Sequence, residues 1–95
     1  MIFTHEYSIL KKKIFTTIRK NSNFYKVGHS YQVHTPEQSF KARVIKSEAI
    51  SKFDISETLA RNDADMSAVD LILLLDRWYG KRFDDFVLLT LEKIR

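Results

Sequence analysis

The chain has 95 residues, enough for one domain and too few for a second core. At 44% hydrophobic and 29% charged it has the balance of a folded globular protein, which excludes a disordered tail or a fibre. It has no cysteine, which excludes disulfides, thiolate metal sites and a cysteine nucleophile, and it fits an expected cytoplasmic location.

The formal net charge of +4 is unevenly spread. Residues 1–47 carry nine Lys and Arg against Glu6 and Glu37, whereas residues 48–95 carry seven against ten acids. A basic face of this kind attracts polyanions, nucleic acid above all, although the same residues also suit a plain solvated surface. The longest apolar run, Leu71 to Leu75, is far short of a membrane span. The opening "MIFTHEYSIL" lacks a basic region followed by a long apolar core, so no signal peptide is expected.

In chain order, "MIFT" reads as a short strand, after which Thr4 can cap a helix over 5–13. Tyr7, Ile9, Leu10 and Ile14 would form its apolar stripe, and Lys11, Lys12 and Lys13 its last turn, where cations complement the helix dipole. Segment 14–20, "IFTTIRK", is β-branched and aromatic and predicts a strand. A turn-rich stretch with Gly28 at its bend follows. Strands at 30–35 and 39–46, joined through "PEQ", predict a hairpin. Asp54, with Glu57 three residues on, is placed to cap a short helix within "FDISETLARN".

Residues 67–79 form the clearest helical pattern, with Ser67 and Asp70 as a capping pair and Gly80 just past the end. Its apolar residues cover more than one face, so Trp78 is expected to be at least partly buried. Full enclosure would make Trp78→Ala cost about 3–5 kcal/mol. Segment 85–93 is apolar on both faces, as a central strand requires. The order gives an α+β fold in which the last strand returns to the first sheet, as a closed or half-closed barrel with helices packed on it.

No glycine-rich phosphate loop or nucleophile elbow is present, and His5, His29 and His34 have no ligand-like spacing, so neither a metal nor a cofactor is expected. What remains is a set of long polar side chains that closure would gather: Lys13, Thr16, Thr17, Arg19, Lys20, Lys26, Asp63 and Asp65. A desolvated lysine can act as base towards a threonine hydroxyl, with a carboxylate moving protons to a leaving group. Lys13 and Asp63 as an ordinary ion pair is the plainer alternative.

With "TTIRK", "YKVG", "QVHTP" and "FKARVIKSEAI" followed by "LARNDADMSAVDLILLLDRWYG" and "FVLLTLEKI", the chain resembles the ASCH domain family of the PUA-like superfamily over essentially its whole length. That resemblance implies a small PUA-like β-barrel flanked by helices, with a cleft lined by the opening basic segment and the acidic junction. It also implies nucleic-acid binding in that cleft, RNA most of all. One bacterial branch instead hydrolyses an acetylated cytidine through a lysine, a threonine and a glutamate. In the family motif a lysine lies three residues before the threonine. With Thr17 and Arg19 as the pair, Ile14 holds that position and Lys13 is one residue off. Lys13 and Thr16 keep the spacing but lose the arginine.

Three readings follow. The first is a nucleic-acid-binding module. Lys13, Arg19, Lys20, Lys26, Lys41 and Arg43 would contact phosphate, Thr17 would line the cleft, and Tyr25 or Tyr31 would stack on a base. The second is an amidohydrolase acting on an N4-acylated cytidine through Lys13, Thr17 (or Thr16) and Asp63 (or Asp65). The third is a protein-interaction domain with an inert cleft.

Overall fold

The computed structural model describes residues 1–94. Four strands, β1 (Ile14–Lys20), β2 (Ser30–His34), β3 (Ser39–Ile50) and β4 (Phe86–Ile94), form one antiparallel sheet in the order β1-β4-β3-β2. Two helices, α1 (Glu57–Ala64) and α2 (Ala68–Tyr79), lie between β3 and β4 in sequence. The architecture is therefore α+β, with β4 central as its two-faced apolar sequence requires.

Alternation along the strands sends side chains into two separate cores. Phe15, Val33, Ala42, Val44, Leu89 and Leu91 bury one face of the sheet beneath Phe3 and Leu10 of the N-terminal segment. Ile18 and Phe86 bury the other face against Ala60, Ala64, Leu71 and Leu75 of the two helices. A bulge at Ile45, where Val44 opposes Leu91 and Lys46 opposes Thr90, bends β3 midway.

The sheet is open: of the closed or half-closed barrel expected from strand order, closure is not seen. Residues 1–3 run along the free edge of β2: the Phe3 amide donates to the His34 carbonyl at 2.8 Å, and the His34 amide donates to that of Met1 at 2.9 Å. From the opposite edge, β1 sends only a side chain across the gap, the Arg19 guanidinium donating to the Ile2 carbonyl at 3.0 Å.

The helix expected over 5–13 is instead a short 3-10 turn, Ser8–Lys11. Lys12 is already extended, and the Lys13 carbonyl accepts the Lys93 amide at 2.8 Å, so the β ladder has claimed the end of the expected helix. Only Lys11 of the three lysines lies in a last turn. The expected cap also moves. Ser56 caps α1 through the Leu59 amide, while Asp54 closes a capping box with Ser51 on the 3-10 turn Lys52–Asp54. Ser67 caps α2 as expected, accepting from the Asp70 amide, and Gly80 ends it at φ 96°, where a side chain would be strained. β3 runs on through residues 47–50, beyond its expected end.

Lys52, only 8% exposed, fixes the helices to the strands. Its ammonium pairs with Asp76 of α2 and donates to the Gly80 and Lys81 carbonyls at 3.3 and 3.1 Å, just past the helix C-terminus. Trp78 is partly buried, as expected, but with 52% of it exposed its ring is not enclosed. Only Leu71 and Leu75 of α2 are fully buried, because a helix lying on a sheet covers one stripe.

Among the described residues, no helix is long and apolar enough to cross a membrane.

Candidate functional site

β1 is an edge strand, and that position makes the site. Just beyond its two ends, Lys13 and Asn21 are bonded to Lys93 and Asp85 of the β4 side, at 2.8 and 2.9 Å. Antiparallel alternation then turns the amides and carbonyls of residues 15, 17 and 19 towards β4 and those of Thr16 and Ile18 towards the free edge. Along this edge runs a cleft of about 210 Å³, bounded by Ile2–Thr4 and Tyr7, by Thr17–Arg19, by Asp63 and Ala64 of α1, and by Leu71 to Tyr79 of α2. It has room for one small ring or side chain, less than a drug-sized ligand needs.

Thr17 and Arg19 share one face of β1, two residues apart as a strand demands. The Arg19 Nε donates to the Thr17 Oγ1 at 3.2 Å, and its guanidinium lies over the Phe3 ring, 4.6 Å from the centroid. These contacts, with the bond to Ile2, leave part of a five-donor fork for a ligand. Burial draws the Arg19 pKa down, while the neighbouring Tyr25, Tyr79, Asp63 and Tyr7 groups pull it back.

Asp63 approaches from α1 on the other side. Only 8% exposed, it accepts the Thr16 Oγ1 hydroxyl at 2.7 Å. Burial pushes its pKa up to about 6, against the opposing pull of the Thr16 hydrogen bond and the Arg19 charge. At neutral pH this carboxyl is thus still mostly ionised and an acceptor, and it takes a proton and can donate only as pH falls through about 6. Burial likewise raises the Tyr7 hydroxyl, with Asp63 adding to the effect and Arg19 opposing it. Trp78 and Tyr79 supply aromatic surface at the mouth, Tyr79 being held by stacking on Phe83 with centroids 5.6 Å apart.

Thr17, Arg19 and Asp63 are thus brought to one cleft, and Lys13 is not. Lys13 is exposed and lines a separate concavity with Lys11, Phe40, Lys41, Glu92, Lys93 and Ile94. Arg19 is the only cation lining the cleft among the described residues. The Lys13–Thr17–Asp63 arrangement that hydrolysis would use is therefore not assembled, and an arginine cannot replace the lysine as a base because it keeps its proton. Thr16 is committed to Asp63. Asp65, in a left-handed conformation after α1, accepts the Ser8 amide at 2.7 Å.

The remaining candidates scatter. Lys20 is exposed, its ammonium 5.6 Å from the Phe83 centroid. Tyr31 is tied into the loop before β2, its hydroxyl donating to the Phe24 carbonyl at 2.7 Å and accepting the Lys26 amide at 2.9 Å. Tyr25 packs edge-on against Phe24 and Tyr31. Lys41 and Arg43 point away from the buried Ala42 and Val44, and Arg43 reaches Glu92 at 3.7 Å. His34 is hydrogen-bonded to Ser39 at 3.2 Å, and no metal-holding cluster of His, Asp and Glu occurs among the described residues.

Phe3, Tyr7, Trp78 and Tyr79 are cleft residues that sequence reasoning missed. For Trp78 and Tyr79 the signal was present only as excess: α2 carries more apolar residues than one buried stripe can use. Compared with models of protein families, with curated proteins and with solved structures, the chain finds no match.

Proposed function

We propose that the protein binds single-stranded nucleic acid, RNA above all, with one base held in the cleft at the edge of β1. The observation that carries this reading is the half-buried Arg19, its donors partly free, lining with the buried Asp63 one ring-sized space rimmed by Trp78 and Tyr79. Unstacked bases are recognised in this way, by aromatic and guanidinium planes together with hydrogen bonds to base edges. The unpaired strand edge at Ile18 adds a backbone donor and acceptor of fixed geometry. The basic excess of residues 1–47 supplies attraction for the phosphates. A PUA-like half-barrel is the fold that goes with this reading. Its support is the way residues 1–3 and the Arg19 side chain bring the two sheet edges together.

Fluorescence anisotropy tests it, with labelled single-stranded RNA, duplex RNA and single-stranded DNA at several salt concentrations. Single-stranded RNA should bind best, with log affinity falling linearly in log salt. Trp78→Ala, at the exposed rim, should lose about 1–3 kcal/mol of binding if a base stacks there. Absence of binding to any of the three at low salt, or equal binding by the Trp78 variant, would overturn the reading.

A further inference from the structure

We propose that the second concavity, at the bare end of the sheet, is a phosphate track for the same strand, so that the protein grips a run of nucleotides and not one base alone. This rests on the nucleic-acid reading of the cleft. Four lysines converge there from three parts of the chain: Lys11 and Lys13 before β1, Lys41 at the start of β3, and Lys93 near the end of β4. The register makes the gathering fixed, since Lys93 opposes Ala42 and its amide bonds to the Lys13 carbonyl at 2.8 Å.

The ammonium of Lys93 is anchored, donating to the Leu10 carbonyl and lying 4.5 Å from the Phe40 centroid. Lys11, Lys13 and Lys41 are exposed, and among the described residues none is within ion-pair distance of a carboxylate. Glu92, the only acidic side chain lining the concavity among the described residues, is engaged by Arg43. Like charges gathered without partners repel; a polyanion relieves that repulsion with its own negative charge, and release of its counterions drives the association. The space, about 850 Å³, is wide and open, which suits a strand passing through more than a single enclosed ion.

Spacing ties the two sites together. Lys13 and Arg19 are six residues apart on an extended chain, roughly 20 Å at ~3.3 Å per residue. At ~3.4 Å per stacked nucleotide the strand needs about six nucleotides to reach from one to the other.

The test is a length series of single-stranded RNA, from mononucleotide to twelve nucleotides, titrated against wild-type protein and the triple variant Lys11→Gln, Lys13→Gln, Lys41→Gln. Lys93 is left in place because it holds Leu10. Wild-type affinity should climb until about six nucleotides and then level. In the triple variant the hexamer should lose its advantage over the trimer, and the log–log salt slope should flatten by about 2, at ~0.7 per lost phosphate contact on a single strand. Unaltered length dependence and slope in the variant would overturn the track while leaving the cleft reading intact. The same holds if the slope responds to Lys20→Gln with Lys26→Gln instead. Failure of wild-type protein to bind RNA of any length at low salt removes the nucleic-acid reading itself.

Discussion

The two ends of the sheet treat their cations in opposite ways. Where α1 and α2 cover the sheet, the cations are built in: Lys52 is closed beneath α2, and Arg19 is half-buried between Phe3 and the cleft. At the bare end Lys11, Lys13 and Lys41 stand in solvent without partners among the described residues. A desolvated, oriented cation can discriminate between ligands by geometry, whereas a solvated one offers attraction that salt screens. The same residue types thus serve positioning at one end and capture at the other.

The largest effect expected from this contrast is at Lys52. Lys52→Ala should cost about 3–5 kcal/mol, because it leaves Asp76 and two carbonyls without their partner. Lys41→Ala should stay within about 0.5 kcal/mol. Equal urea midpoints for the two variants would break the comparison.

Next comes Asp63, which titrates at about 6 when folded against an ordinary 3.8. Between those values the folded state keeps a proton that the unfolded chain has lost, so stability falls as pH rises through the window. Two pKa units correspond to about 3 kcal/mol. Asp63→Asn should remove this slope while keeping an acceptor for Thr16. Urea unfolding of both proteins across pH 4 to 7 measures it, and parallel curves would show that Asp63 is not the group responsible.

Trp78→Ala should cost about 1–2 kcal/mol, well below the 3–5 kcal/mol of an enclosed ring, because half of it already faces solvent. A larger loss by calorimetry would mean that the rim is really core. The smallest effect is expected from the triple lysine variant. Relief of repulsion should raise its melting temperature slightly at low salt and leave it unchanged at high salt.

The strands were legible in the sequence because most have one wet face, so Tyr31, Val33, Ala42 and Val44 announce themselves by alternation. The extension of β3 was hidden because Lys46, Ser47 and Glu48 are all exposed and carry no pattern. The helix over 5–13 was misread because tertiary pairing at Lys13 overrides local propensity. In the site, Thr17 and Arg19 were readable from their two-residue spacing. The exclusion of Lys13 from the cleft depends on where β1 joins β4, which no local spacing encodes. Trp78 is half-covered, within what its helix implied, but its place at a cleft was not readable, because apolar residues lining a cleft and apolar residues filling a core give the same periodicity.

The bulge in β3 bears on how this sequence can drift. Every other interior position of the sheet is locked by parity: losing one residue would turn all that follows in its strand inside out. Ile45 is the exception, since Val44 and Lys46 already oppose adjacent residues of β4, and its deletion would leave Ser47, Ala49 and Ile50 on their present sides. What would go is the bend, and with it part of the curl that brings Arg19 within reach of Ile2. Relatives of this chain one residue shorter at that point would keep the same cores but carry a flatter sheet and a wider cleft.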